Sequence, residues 1–227
     1  DFLPGAYSDA LTVQNWVAME DGDFSLLWGS YDAPVVQLGQ LWPGYVSPAH
    51  SSVIPRRMPH APQTAEDFKH GWIYSTLFTN NFTTNFSVTQ HGEFGFHYSM
   101  TTTPKSISDP EAIRIGRNLV TPMESIFSPG YKQGSLPQTQ HFVRIEHEDV
   151  ILLHCKRAHG GGGAVLRFWN PADTPLSTRV ESTVLNISDA REVTPAEEDT
   201  DCKVVHDRSG FELQMDAREI KNILISG

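Results

Sequence analysis

The sequence predicts an all-β protein of two stacked β units, a large β-sandwich over residues 1–136 followed by a smaller antiparallel β-sandwich over residues 137–227. Three observations predict it. Apolar residues recur at a period of two, most plainly at Phe94, Phe96, Tyr98 and Met100 and again at Phe211, Leu213 and Met215, as in strands that bury one face. Such runs follow one another at short spacing, parted by Gly, Pro, Asn and Asp clusters. One stretch alone, at Ser108, has the composition of a helix start.

Residues 11–42 read as several short strands, LTVQNWVAM, DFSLLWG and APVVQLGQLW, separated by turn compositions at 20–23 and 30–32. The carboxylates of Glu20, Asp21 and Asp23 could share a calcium ion, but the other ligands of an EF-hand loop are missing and a hairpin turn is the ordinary expectation. From 43 to 68 the composition changes. Pro43, Pro48, Pro55, Pro59 and Pro62, with His50 and His60, make a long irregular loop, either a lid or docking arm against another domain or a plain surface excursion. The two histidines are too isolated to form a zinc site.

Residues 70–103 hold an extended segment, a crossing rich in Asn80, Asn81, Thr83, Thr84 and Asn85, and a strongly alternating segment. The crossing suits a turn because these side chains bond their own backbone. Within it sit Phe82 and Phe86, rings that either plug the end of a sandwich or face a sugar or a partner domain. In the alternating segment Phe94, Phe96, Tyr98 and Met100 are expected to pack, leaving Glu93, Gly95, His97 and Ser99 to water or a neighbour.

A short helix is expected from Ser108 through about Asn118. Ser108 or Asp109 caps it, Pro110 stands in the first turn and Glu111 adds negative charge there. Residues 121–140 return to loop composition, and the boundary between the units is placed near Leu136. Beyond it, HFVRIEHEDVILLHCKRA reads as two strands about a turn at 147–149. GAVLRFWNP is a strand stopped by Pro171. STRVESTVLNI, AREVTP, DCKVVHD, GFELQMD and EIKNILI supply the rest. Cys155 and Cys202 fall in predicted strands. They could form one disulfide, but two buried free thiols are expected.

A hydrophobic share of 39% with 19% charged residues is that of a globular protein. The formal charge of −10 argues against nucleic acid, since no Lys/Arg run neutralises phosphates and the close pair Arg56-Arg57 lies in the Pro-rich loop. No apolar run approaches the roughly 20 residues that span a bilayer. The opening DFLPGAYSDA lacks the pattern of a signal peptide, so the chain is expected to begin mid-protein or after processing. The expectation is a soluble protein with no membrane partner and an open compartment, the cytoplasm among the options. Sequons at Asn81, Asn85 and Asn186 matter only in a eukaryotic secretory pathway.

The run from His159 to Gly163 resembles a phosphate loop only in glycine content. No Lys-Ser/Thr follows and a strand comes next, so a hairpin tip is expected. Arg167, beside Trp169, could clamp a carboxylate, although pairing with a structural acid is the default. No GxSxG, HExxH or CxxC pattern occurs. Retaining sugar cleavage needs two carboxyl groups about 5 Å apart. Glu93, Glu148 and Asp149 are exposed-looking candidates, but nothing in their spacing brings two together.

Pieces spread over nearly the whole chain resemble, in order, the β-rich C-terminal region of bacterial glycoside hydrolase family 38, the α-mannosidases. They are Asn15-Trp16-Val17, Asp32-Ala33-Pro34, Asn80 with Thr84-Asn85-Phe86, Gly92-Glu93-Phe94, Leu166-Arg167 leading to Trp169-Asn170-Pro171, Ala190-Arg191-Glu192-Val193 and Glu219-Ile220-Lys221. Where such members carry a Trp before Thr-Asn-Phe, Phe82 stands here, which removes an indole N–H donor. The resemblance implies a supersandwich of the galactose-mutarotase-like kind, then a smaller sandwich. It implies partners too: an N-terminal catalytic domain holding zinc and an aspartate nucleophile, a helical domain, and a mannose-containing carbohydrate. This chain would then hold no catalytic residue, no metal and no cofactor of its own. Phe82, Asn85, Glu93 and Arg167 are the candidates for the substrate edge or sugar contact. The alternative is a free-standing carbohydrate-binding module whose Phe82, Trp72 or Trp42 stacks on a sugar.

Overall fold

A computed structural model describes residues 11–39, 70–78, 87, 89–121, 123–130 and 133–227. Among these the chain is strand with a single helix, and every strand pairing is antiparallel. Contacts divide it into two compact units, Asp1–Ile107 with Ile115–Glu124, and Ser108–Arg114 with Ser125–Gly227. The division falls inside and just after the helix, whereas composition placed it near Leu136.

The first unit contains β1 (Leu11–Thr12), β2 (Trp16–Glu20), β3 (Ser25–Gly29), β4 (Val35–Leu38), β5 (Ile73–Ser75) and β6 (Ser99–Thr103). They form two three-stranded sheets, ordered β1-β4-β5 and β2-β3-β6. The acidic turn at 20–23 closes the β2–β3 hairpin, with Gly22 supplying a φ of 74°. Val17 on β2 lies opposite Trp28 on β3, and both pack with Val36 of β4 and with Leu11, Met19, Leu38 and Ile73 around them. One face of β2-β3-β6 therefore meets the other sheet. The opposite face carries Leu27, fully buried, and meets the helix α1 (Asp109–Val120). A Cβ on Gly29 would lie 3.0 Å from Val120, and one on Gly116 only 2.2 Å from the Trp16 ring. The helix glycine is there because an indole occupies the space of its side chain. At the helix start, Ser108 Oγ accepts from Glu111 N–H and the first turn carries Asp109 and Glu111, the cap read from the sequence.

Among its described residues the second unit has nine strands: β7 (Arg144–Ile145), β8 (Ile151–Arg157), β9 (Ala164–Trp169), β10 (Leu176–Glu181), β11 (Asp189–Val193), β12 (Asp199–Lys203), β13 (His206–Asp207), β14 (Gly210–Met215) and β15 (Ile220–Ser226). They build sheets ordered β13-β14-β10-β7 and β12-β11-β15-β9-β8. Phe211, Leu213, Met215 and Val180 from the first of these pack with Leu166, Phe168, Ala190, Ile223 and Ile225 from the second. Phe168 and Phe211 meet edge to face across the layers, with centroids 6.0 Å apart. This is a sandwich whose main core lies between the two sheets, with a separate buried cluster of Ala158, Val165 and Val193 packed with Leu224. β7 and β8 flank the turn at 147–149 yet enter different sheets, so this turn is a crossing and not a hairpin.

Two expectations are corrected here. Cys155 and Cys202 are free and exposed, not buried: both lie on the outer strands of the five-stranded sheet, β8 and β12, where the layer above does not cover them. The alternating segment at 93–103 is strand only from Ser99 on, and its apolar set stays open, with Phe94 47%, Tyr98 42% and Met100 68% exposed.

Candidate functional site

The reason for that open set begins in β3. Its ladder with β6 runs from Ser25 opposite Thr103 to Gly29 opposite Ser99 and stops there. At Ser30 the chain turns away. Ser30 N–H donates to Asn15 O at 2.8 Å, Ser30 Oγ accepts from Ala33 N–H at 3.1 Å, and Asn15, at a φ of 71°, donates its amide to Ser30 O and Tyr31 O. Residues before Ser99 thus have no strand to pair with along β3, and an extended run without a ladder partner does not become a strand. His97 N–H instead donates to Asp32 Oδ2 at 2.8 Å, and the same oxygen meets His97 Nδ1 at 2.8 Å. These bonds hold the Asp32 carboxyl below its ordinary range.

Met100 lies opposite Trp28 in the ladder, on the face of β2-β3-β6 that forms the sandwich core. Trp28 is covered by the other sheet and Met100 is not. Before it, Tyr98 packs tilted on Trp28 at 5.5 Å and shares a 3.1 Å hydrogen bond between its hydroxyl and Ser75 Oγ of β5. Phe78, past the end of β5, meets Phe94 edge-on at 5.0 Å and Phe96 edge-on at 5.5 Å, and it is 53% exposed. Leu77 beside it is exposed as well. The first unit therefore carries an aromatic edge continuous with its own core, anchored by Trp28 and Ser75 and open on the outside. Glu93 stands exposed at the head of the segment, next to Phe94.

The other residues named from the sequence are placed differently. Phe82, Asn85, Trp42, His50, His60, the sequons at Asn81 and Asn85 and the Pro-rich loop lie outside the described residues. Trp72 is exposed and lies nearly parallel on His70, with centroids 4.8 Å apart. Arg167 belongs to the second unit. On β9, an inner strand of the five-stranded sheet next to the edge strand β8, its Nε donates to Asn222 Oδ1 at 2.7 Å, so its partner is a buried amide instead of an acid. Glu148 and Asp149 belong to the second unit and Glu93 to the first. Among the described residues no three His, Cys, Asp or Glu side chains converge as metal ligands would. Among the described residues no helix is long and apolar enough to cross a membrane.

No family model and no curated protein sequence matches this chain. What the site can do is therefore argued from its own chemistry. Aromatic and thioether side chains with one buried flank and one open flank bind other apolar surfaces, and ring edges and faces suit the CH face of a sugar. Sequence pattern found the rings of 94–100 but missed Phe78 as their partner and Asp32 as the anchor of His97. A single aromatic at a strand end and an Asp in a turn carry no signal for either contact.

Proposed function

We propose that this chain is the β portion of an α-mannosidase-like glycoside hydrolase, acting in carbohydrate metabolism. It packs on a zinc-dependent catalytic domain outside this chain, completes the rim of the sugar site, and does not hydrolyse glycosides alone. The ordered resemblance to family 38 motivates the enzyme class. The observation that carries the docking role is the open edge of Phe78, Phe94, Tyr98 and Met100. A soluble β-sandwich ordinarily keeps such rings inside, and exposed apolar patches of this kind mark surfaces that another body covers. The rim role falls to Glu93 and to Phe82 and Asn85 in the adjoining crossing. The zinc and its ligands belong to the catalytic domain.

The second reading, a free-standing carbohydrate-binding module, is favoured by Trp72, whose ring is half open and held by His70. One assay separates the readings. The purified chain is incubated with an aryl α-mannoside, with and without zinc, and mannose is titrated into the same sample. No turnover and no saturable binding is the expected result. Turnover that vanishes in Glu93→Gln would overturn the non-catalytic assignment, and saturable binding lost in Trp72→Ala would replace it with the binding module.

A further inference from the structure

The main chain of β6 and of the segment before it has one side turned to β3 and one side open. Ser30, just past β3, donates its N–H to Asn15 O, just before β2, at 2.8 Å. Successive backbone groups of a strand point to opposite sides, so the even-numbered residues of β3 face β2, and Ser25, Leu27 and Gly29 face β6. Their ladder partners are Thr103, Thr101 and Ser99. His97 continues that series, its N–H turned to Asp32 beyond the end of β3. Phe78 touches both Phe94 and Phe96, so the period of two holds through the segment. Phe94, Phe96, Tyr98, Met100 and Thr102 therefore turn N–H and C=O the other way, to the side where β6 has no neighbour among the described residues.

An edge of this kind is ordinarily guarded by charge, proline, a bulge or brevity. The edges of the second sandwich are guarded in these ways. β7 and β13 have only two residues each. β8 has a register shift and carries Lys156 and Arg157, and β12 has a register shift and carries Asp199, Asp201 and Lys203. From Phe94 through Thr103, by contrast, there is no Lys, Arg, Asp, Glu or Pro, and the β3–β6 register runs without a shift. Main-chain donors and acceptors open at every second residue are matched by one kind of surface, the edge of another strand. We infer that the body which docks on the first unit adds a β-strand along residues 94–102. Its own N–H and C=O groups pair with those of Phe94, Phe96, Tyr98, Met100 and Thr102. Its apolar side chains, at alternate positions, lie beside the rings, and its polar ones lie beside Gly95, His97, Ser99 and Thr101. Strand addition presupposes the docking role proposed above and fixes the form of the partner.

The test is amide hydrogen exchange of the full chain with and without a short capped peptide of alternating Val and Thr. The same peptide N-methylated throughout is the control, since it keeps the side chains and cannot pair. With the first peptide the amides of Phe96, Tyr98, Met100 and Thr102 are expected to slow about tenfold or more, those of Ser99 and Thr101 to stay as they were, and the control to slow none. Thr102→Pro removes an open donor and is expected to abolish the slowing at Met100 while keeping the melting temperature within about 2 °C. Thr101→Pro removes a ladder donor and should lower the melting temperature by about 6 °C or more. An equal fall in both variants, no slowing, or slowing that does not alternate would each overturn the added strand. So would alternate slowing already present in a parent chain that dimerises with concentration, which would make a second copy the occupant. Slowing without alternation leaves the rings as a docking surface, whereas a chain that binds no apolar dye loses the docking role itself, so the two claims fail separately.

Discussion

Asn170 shows how much one buried polar side chain organises. It is fully buried, its Nδ2 donates to Thr174 O at 2.9 Å and Asp216 O at 2.8 Å, and its Oδ1 accepts from Ala172 N–H at 3.0 Å. One amide thus closes the loop after β9 and ties it to the end of β14. Asn170→Leu leaves these backbone groups unpaired, and the expected loss is about 2–4 kcal/mol, measured by denaturant unfolding. Asp207 does similar work in the open. Its Oδ1 accepts from Ser209 Oγ and Ser209 N–H, both at 2.7 Å, and from Gly210 N–H at 3.0 Å, while its Oδ2 accepts from Arg179 at 2.7 Å. The Ser209 hydroxyl and amide, and then Arg179, hold its carboxyl far below the ordinary value of 3.8. A folded-state value below the unfolded one contributes stability that is full above the unfolded value and is lost as pH falls toward the folded one. The melting temperature is therefore expected to drop as pH goes below 3.8, and Asp207→Asn should flatten that part of the profile. A slope unchanged in the variant would assign it to other carboxylates. The Trp169-Asn170-Pro171 string was legible as a strand stop, but the three bonds of Asn170 were not, because their partners lie up to 46 residues away.

At the scale of elements, local chemistry was legible and facing was not. The cap at Ser108, the stop at Pro171 and the alternation of Phe211, Leu213 and Met215 each depend on neighbours in sequence, and the structure follows them. The segment before β6 depends on where β3 ends, which is set by the turn that Asn15 and Ser30 hold. Alternation alone says that one face differs from the other. It does not say whether a second sheet reaches far enough to cover it. The helix gives a sharper case. Gly116 weakens a helix in isolation, and its presence is explained only by Trp16. Gly116→Ala, a gain in helix propensity of about 1 kcal/mol in solvent, is expected instead to destabilise the first unit by about 1–3 kcal/mol through overpacking. Thermal unfolding followed by Trp fluorescence measures it, and a stabilised variant would show that the helix does not rest on that ring.

For the whole molecule, the described residues of the two units differ in how completely they are buried. The second has a core closed between four-stranded and five-stranded sheets, and Phe168→Ala there is expected to cost about 3–5 kcal/mol. The first has two three-stranded sheets and leaves aromatic rings on its rim. That contrast supports the proposal that the first unit docks on another body. All-β class was legible from period and turn spacing. The open edge was not, since it depends on where β3 ends and on how far the second sheet reaches. The most direct measurement is made on the double variant Phe78→Ser, Phe94→Ser, comparing binding of an apolar fluorescent dye and the melting temperature with the parent chain. Rings that await a partner should bind dye in the parent and lose most of that signal in the variant, with the melting temperature unchanged within about 2 °C. A parent that binds no dye, or a variant whose melting temperature falls by about 6 °C or more as on loss of a core ring, would contradict the account and make these rings part of a closed core.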